Sequence, residues 1–246
     1  MLLIPAIDLR AGQCVRLRQG DFRAETRYPH TPLQLLQRYR ALGAPWLHLV
    51  DLDGARDGAR RNQHIIVALA AEPGVALQVG GGVRTRAAVL ELLALGAQRV
   101  VIGSAAVERP DEVAGWIREF GAHRICLALD VRHDAAGVPQ LRTRGWQDAG
   151  RCSLWDCIDR YRDCGLEHVL CTDIERDGLP AGPNLALYRC AAQRYPRLRW
   201  QASGGVTDVA DLRSLAASGA AAAISGTALL EGRMASGDLQ PYLRVA

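Results

Sequence analysis

The feature that most limits how this 246-residue chain can fold is a duplication at half its length. Gly81-Gly82-Val83 returns as Gly204-Gly205-Val206, and Ile102-Gly103-Ser104-Ala105 as Ser225-Gly226-Thr227-Ala228, in both cases 123 residues later. His48-Leu49-Val50-Asp51-Leu52 matches Leu170-Cys171-Thr172-Asp173-Ile174 at 122 residues, and the apolar run closing on Asp8 matches the one closing on Asp130 at the same spacing. Four landmarks in one order at nearly one interval imply two copies of a half-length unit. Each half then carries an aspartate at the end of an apolar strand, where burial is costly unless the carboxylate is paired or used.

The elements between the landmarks alternate. Apolar runs predict strands over Leu2 to Arg10, Trp46 to Val50, Val75 to Val79, Arg99 to Ile102, Ile125 to Asp130, His168 to Thr172, Leu198 to Ala202 and Ala221 to Ser225. Helical spacing follows Thr31-Pro32 as far as Gly43, then recurs over Asn62 to Glu72, from Thr85 to Gly96, and over Val113 to Phe120. In the second half it covers Leu154 to Cys164, Asn184 to Tyr195, Leu212 to Ala217 and a last helix after Thr227. Eight strands alternating with helices predict an α/β fold, a single (β/α)8 TIM barrel with a twofold half-barrel repeat, occupying residues 1–246 as one domain. A doubly wound sheet is the alternative, and the duplication of four units favours closure. Two longer excursions interrupt the pattern: a partly hairpin loop from Gln13 to Asp21, polar as far as Pro29, and a second hairpin over Val138 to Trp146. Loops of that length at the carboxyl end of a barrel strand commonly cover a site.

Composition narrows the chemistry. All 30 basic residues are Arg, so a lysine Schiff base is excluded and Arg remains for anion contacts. A net charge of +4 suits an anionic substrate, and no basic run interleaved with aromatics argues for nucleic acid. With no apolar run of membrane length and no leader pattern at the N-terminus, a cytoplasmic, membrane-free, monomeric protein is expected. The seven Cys are scattered without a Cys-x-x-Cys pair and read as reduced packing residues, and the six His show no metal-ligand spacing. His48, within a strand pattern, reads as a core histidine.

Glycine-rich turns after strands three, four, seven and eight are candidate phosphate cradles, since bare backbone N–H groups there face the barrel mouth. The sets are Gly81, Gly82, Gly103 and Ser104 in one half, and Ser203, Gly204, Gly205, Gly226 and Thr227 in the other. Two such sets imply a long substrate with a phosphate at each end. Asp8 and Asp130, on opposed strands, suit general base and general acid work on the substrate's middle. Asp51 and Asp173, the other repeat-related pair, are at least as well explained by structure. Thr172 is either a substrate contact or simply a strand former, and Trp146 either a lid or a stacking platform.

The motifs Ile4-Pro5-Ala6-Ile7-Asp8, Val15-Arg16-Leu17-Arg18-Gln19-Gly20, Val50-Asp51-Leu52-Asp53, Gly80-Gly81-Gly82-Val83-Arg84 and Ala128-Leu129-Asp130-Val131 occur in one chain with Gly145-Trp146, Thr172-Asp173-Ile174, Arg176-Asp177-Gly178 and Ser203-Gly204-Gly205-Val206. Their combination, spread over nearly the whole chain, closely resembles the aldose–ketose isomerase family of histidine biosynthesis. That resemblance implies an Amadori rearrangement of a bis-phosphorylated aminoaldose, with no metal and no organic cofactor. It implies Asp130 as the acid that opens the ribose ring, Asp8 as the base at C2, Thr172 as an assisting catalytic residue, and Trp146 stacked on the imidazole carboxamide. It further implies substrate contacts from Arg16, Arg18, Gly20, Arg84, Arg144, Gly145, Asp177 and Gly178 beside the two glycine sets. Leu179 stands where the family usually carries Thr. Arg144 before Gly145-Trp146 is shared with bifunctional relatives that also isomerise phosphoribosyl anthranilate, so a bifunctional isomerase is one alternative. A non-catalytic phosphate-binding barrel is the other.

Overall fold

The computed structural model describes residues 1–18, 20–58, 61–143, 148–179 and 181–244. Eight parallel strands form the barrel: β1 (Leu2–Arg10), β4 (Trp46–Asp51), β5 (Ala76–Gly80), β6 (Arg99–Ile102), β7 (Ile125–His133), β10 (His168–Asp173), β11 (Arg199–Ser203) and β12 (Ala222–Ser225). Each pairs with the next in chain order, β7 pairs with β10, and β12 returns to β1 with Leu2 opposite Ala222 and Ile4 opposite Ile224. The sheet therefore closes, and the expected (β/α)8 barrel is the fold observed.

The strands read as continuous apolar runs because both faces are covered: all six residues of β10 are buried. Ile4, Ala6, Val101, Cys126, Leu170, Ala222 and Ile224 form an inner cluster within the barrel. The larger outer cluster, with Leu3, Ile7, Leu47, Leu77, Ile125 and Trp200, lies between strands and helices. Lower in the barrel His48, Gln78, Arg99 and Gln201 make a buried polar layer. The histidine is a core residue, as its strand pattern implied.

Helix starts follow side-chain chemistry. In α1 (Pro32–Ala41) the Thr31 hydroxyl accepts from the Gln34 backbone N–H at 3.2 Å while the Gln34 side chain accepts from the Thr31 N–H at 2.9 Å, a reciprocal cap beside a first-turn proline. Thr85 caps α4 (Arg86–Ala94), and reciprocal caps also open α7 (Leu154–Asp159) and α9 (Val209–Ala217). The remaining helices are α3 (Gln63–Ala70), α5 (Ser104–Glu108), α6 (Pro110–Phe120), α8 (Leu185–Arg194), α10 (Thr227–Leu230) and α11 (Ser236–Leu239).

Three local expectations change. The stretch after β4, to which the sequence pattern assigns no element, contains α2 (Leu52–Asp57): the Asp51 carboxylate accepts from the Gly54 N–H at 3.1 Å, and Gly58 ends the helix at φ +78°. The polar run before Pro29 is a strand, β3 (Asp21–Arg27), because it pairs only with β2 (Gln13–Arg18) and keeps much of its surface in water, so it shows no apolar alternation. Helix α7 stops at Asp159, short of Cys164.

Both excursions are hairpin extensions of repeat-related strands. β1 continues into β2 with Asp8 opposite Val15, and β7 into β8 (Pro139–Thr143) with Asp130 opposite Arg142, followed by β9 (Asp148–Ser153). Among the described residues no helix is long and apolar enough to cross a membrane.

Candidate active site

Asp8 and Asp130 occupy the same place in the two halves. Each sits where its barrel strand leaves the barrel for a hairpin, flanked on the other side by the following barrel strand: Val50 beside Asp8, Thr172 beside Asp130. Since β1 and β7 are four strands apart in either direction round the eight, the two aspartates face each other across the carboxyl-end mouth. The repeat breaks at their neighbours. Thr172 is buried in β10 between Asp130 and Ser203, whereas its counterpart Val50 offers no hydroxyl.

Asp8 is tied to a second carboxylate. From β2, Arg16 donates through Nη1 to Asp8 at 3.3 Å and through Nη2 to Asp177 at 2.5 Å, so one guanidinium spans 161 residues of sequence. Burial pushes the Asp8 carboxyl above the ordinary aspartate range. Arg16 pulls it down and Asp177 pushes it up, and the upward effects win. Burial alone would weaken the Arg16 cation, but Asp8 and Asp177 reverse this and raise its proton affinity.

Asp177 and Arg16 also line a cleft of about 100 Å³, open to solvent, with Gly204, Gly205, Gly226 and Thr227. Ser203, Gly178 and Leu179 belong to the same lining, and so do two residues that sequence reasoning missed, Thr207 and Arg233. The second-half glycine set is thus brought together around one cleft.

Glycine is demanded there partly by the fold itself. A Cβ on Gly81 (φ +108°) would stand 2.1 Å from the Asp51 carbonyl oxygen, and one on Gly82 (φ +69°) 2.2 Å from that of Gly54. In the other half, Gly204 and Gly205 meet Asp173 and Gly182 oxygens at 2.6 and 2.3 Å. Gly103 and Gly226 differ: their nearest neighbours would be 3.8 and 3.6 Å away, ordinary contact, so there is room for a Cβ at either. Gly226 precedes α10 and Gly103 precedes α5, whose first residue is Ser104.

The loops beneath are held by a second repeat-related pair. Asn62 donates to Asp51 at 2.6 Å and to Asp53 at 3.0 Å, and Asn184 donates to Asp173 at 2.7 Å. Asp51 and Asp173 are therefore committed to shaping backbone, as the sequence allowed. His133, Asp173 and Glu175 bring ligand atoms within 4.8 Å of one another, a grouping that sequence spacing did not reveal. The Asp173 oxygens there already accept from Asn184 and from the Glu175 N–H.

Other candidates are placed less centrally. Arg84 is exposed and donates to the Ala55 carbonyl at 2.9 Å. Gly20 (φ +72°) turns β2 into β3, and Arg18 is the last residue of β2. Arg144, Gly145 and Trp146 lie outside the described residues.

The family described as histidine biosynthesis protein matches residues 2–235. This chain belongs to the histidine biosynthesis protein family. Within that family it is 49% identical over 95% of its length to a protein of Stenotrophomonas maltophilia, 96% of which is covered. A Klebsiella pneumoniae relative is 49% identical over 94% of this chain and 95% of its own, and one from Maricaulis maris is 48% identical over the full length of both. All three carry the name 1-(5-phosphoribosyl)-5-((5-phosphoribosylamino)methylideneamino) imidazole-4-carboxamide isomerase.

Proposed function

We propose that this member of the histidine biosynthesis protein family is an aldose–ketose isomerase that acts on the bis-phosphorylated aminoaldose named in its relatives, giving the aminoketose. The observation that carries this reading is Asp8: a largely but not fully buried carboxylate with raised proton affinity, set at the barrel mouth beside a glycine-lined, anion-sized cleft. A base there reaches a sugar carbon whose phosphate sits in the cleft.

The reaction needs one proton delivered and one removed. A carboxylic acid protonates the ribose ring oxygen, the C1–O bond breaks, and the amine nitrogen's lone pair forms the protonated imine. Asp8 then takes the C2 proton, and the electrons of that C–H bond neutralise the imine as an enolamine, which tautomerises to the ketose. Asp130, facing Asp8 across the mouth, is the acid in this scheme, with Thr172 beside it. The glycine sets bind the two phosphates and leave the reacting carbons between the aspartates.

One observation supports a second assignment of the acid. Asp177 shares Arg16 with Asp8 and lines the cleft, so it too is a carboxylate at the same centre. Asp130→Asn and Asp177→Asn separate the two: the true acid loses the ring-opening step, on the order of 10²-fold in rate or more, and the other variant keeps it.

The function is tested by turnover of the purified protein on the aminoaldose bis-phosphate, with phosphoribosyl anthranilate run in parallel. Activity on the first alone establishes the isomerase proposed here. Activity on both makes it bifunctional, and activity on neither leaves a phosphate-binding barrel without catalysis.

A further inference from the structure

Two guanidinium groups line the cleft, and they are held very differently. Arg16 lies between Asp8 and Asp177, whose side chains are only 13% exposed, so taking it away would leave buried charge uncompensated. Arg233, which follows α10, is ion-paired with Glu231, and these side chains are 46% and 38% exposed. An exposed ion pair of that kind is worth little and exchanges readily for a better anion.

The repeat shows what Arg233 replaces. In the first half Arg84 directly follows Gly81-Gly82-Val83, but Thr207 stands at that place in the second half. The second glycine turn therefore lacks a cation of its own, and Arg233 brings one to the same cleft from a different element. The hydroxyl inventory differs in the same direction. Ser225, 3% exposed and part of the cleft lining, keeps a hydroxyl without a hydrogen-bond partner among the described residues, where the first half has Ile102. A buried hydroxyl left unpaired beside an anion-sized space marks a missing contact.

We propose that Arg233 is a binding residue for the phosphate group that occupies the second-half cleft, held by Glu231 while the cleft is empty and released to the phosphate on binding. The anion chemistry stands on the cleft itself, whereas the identity of the whole substrate rests on the function proposed above. A dianion gains a bidentate, charge-assisted contact in exchange for a solvent-screened one. Arg16 stays with its two carboxylates and so remains with the reacting centre.

The test is calorimetric titration of inorganic phosphate, with and without added salt, into wild type, Arg233→Met, Arg233→Lys and Glu231→Gln, with Arg84→Met as the control at the other glycine set. Arg233→Met is expected to weaken one phosphate site about tenfold and to flatten its salt dependence. Arg233→Lys restores part of the loss, and Glu231→Gln tightens the site severalfold. With the bis-phosphorylated aminoaldose, Arg233→Met raises KM about tenfold and leaves kcat within about twofold, since the phosphate is remote from the reacting carbon. Phosphate affinity within twofold of wild type in Arg233→Met overturns the proposal. Unchanged affinity in Glu231→Gln does so as well, even if Arg233→Met does not fold. Phosphate binding that depends on Arg233 in a protein without turnover would sink the isomerase reading and leave this one standing.

Discussion

Gln78 and Gln201, 123 residues apart and in the same place in the two halves, exchange two hydrogen bonds inside the barrel. The Gln78 amide nitrogen donates to Gln201 Oε1 at 2.8 Å, and the Gln201 nitrogen donates to Gln78 Oε1 at 3.0 Å. Reciprocal bonds between repeat-equivalent residues put the local twofold axis between the two amides. Among the described residues only Gln78 has further side-chain partners: its oxygen accepts from Arg99 Nη1 at 3.0 Å and its nitrogen lies 3.1 Å from His48 Nδ1. Gln78→Leu therefore strands three groups and should cost about 3 kcal/mol, and Gln201→Leu, which strands one residue, about 1–2 kcal/mol. The double variant should cost less than the sum of the two. Urea unfolding of the three proteins measures the coupling, and strict additivity would mean that the amides do not depend on each other.

His48 gives this layer a pH dependence. Because Gln78 donates to its Nδ1, the ring is neutral with its proton on Nε2, and burial pulls its pKa down to about 4. The unfolded histidine keeps its ordinary value near 6.5, so as pH falls the unfolded chain takes up the proton first. The contribution is present above pH 6.5 and is lost as pH falls toward 4. Between pH 7 and pH 5 the loss from His48 is about 2 kcal/mol. His168, brought to about 3 by burial and by neighbouring Arg99 and Arg199, acts in the same direction. Urea unfolding of wild type and His48→Asn at pH 7 and pH 5 checks this: the variant should lose about 2 kcal/mol less on acidification and keep the loss due to His168, and equal losses would contradict it.

The glycines divide into those with no room for a Cβ and those with room. Gly81→Ala places a Cβ 2.1 Å from a backbone oxygen at φ +108°, and roughly 4 kcal/mol or more of stability should be lost. Gly226→Ala, with φ −109° and its nearest contact at 3.6 Å, should change stability by less than about 1 kcal/mol. If the second cleft holds phosphate, the same Gly226→Ala should raise KM. Thermal unfolding and steady-state kinetics on the two variants separate the roles, and an unaltered KM in Gly226→Ala would remove that residue from the site.

Much of this was legible because the duplication fixes both register and closure. It placed Asp8 opposite Asp130 and grouped the second glycine set before any contact was known. It also showed that Asp51 and Asp173 had a shared task, although their Asn62 and Asn184 partners were not singled out. What stayed hidden depends on groups meeting across the barrel. A Gln within an apolar strand carries no sign that its partner lies 123 residues away, and nothing near Arg16 points to Asp177. β3 reads as loop because a half-exposed hairpin strand whose only apolar residues are Phe22 and Ala24 has too small an apolar face to reveal it. Arg233 follows a four-residue helix in a segment without periodicity, and only the folded cleft shows where it sits.

In the proposed mechanism Arg16 sets the acid limb of the activity. Asp8 works as a base only when ionised, and burial raises its pKa, so kcat/KM should fall with decreasing pH at values above the ordinary aspartate range. Arg16 opposes that rise through its charge and its hydrogen bond. Arg16→Met removes both and should move the limb to higher pH, whatever it does to the maximal rate. A pH profile of kcat/KM for the two proteins checks the sign, and a limb that stays put or moves down would refute the pairing as the cause.

The most direct test of the account is the fate of the C2 proton in Asp8→Asn. Substrate affinity and single-turnover rate are measured together, with the bis-phosphorylated aminoaldose carrying hydrogen or deuterium at C2. The account predicts affinity within a few-fold of wild type and a rate lower by about 10²-fold or more. An Asp8→Asn variant that turns over at the wild-type rate would show that another group removes this proton, and the central assignment would be wrong.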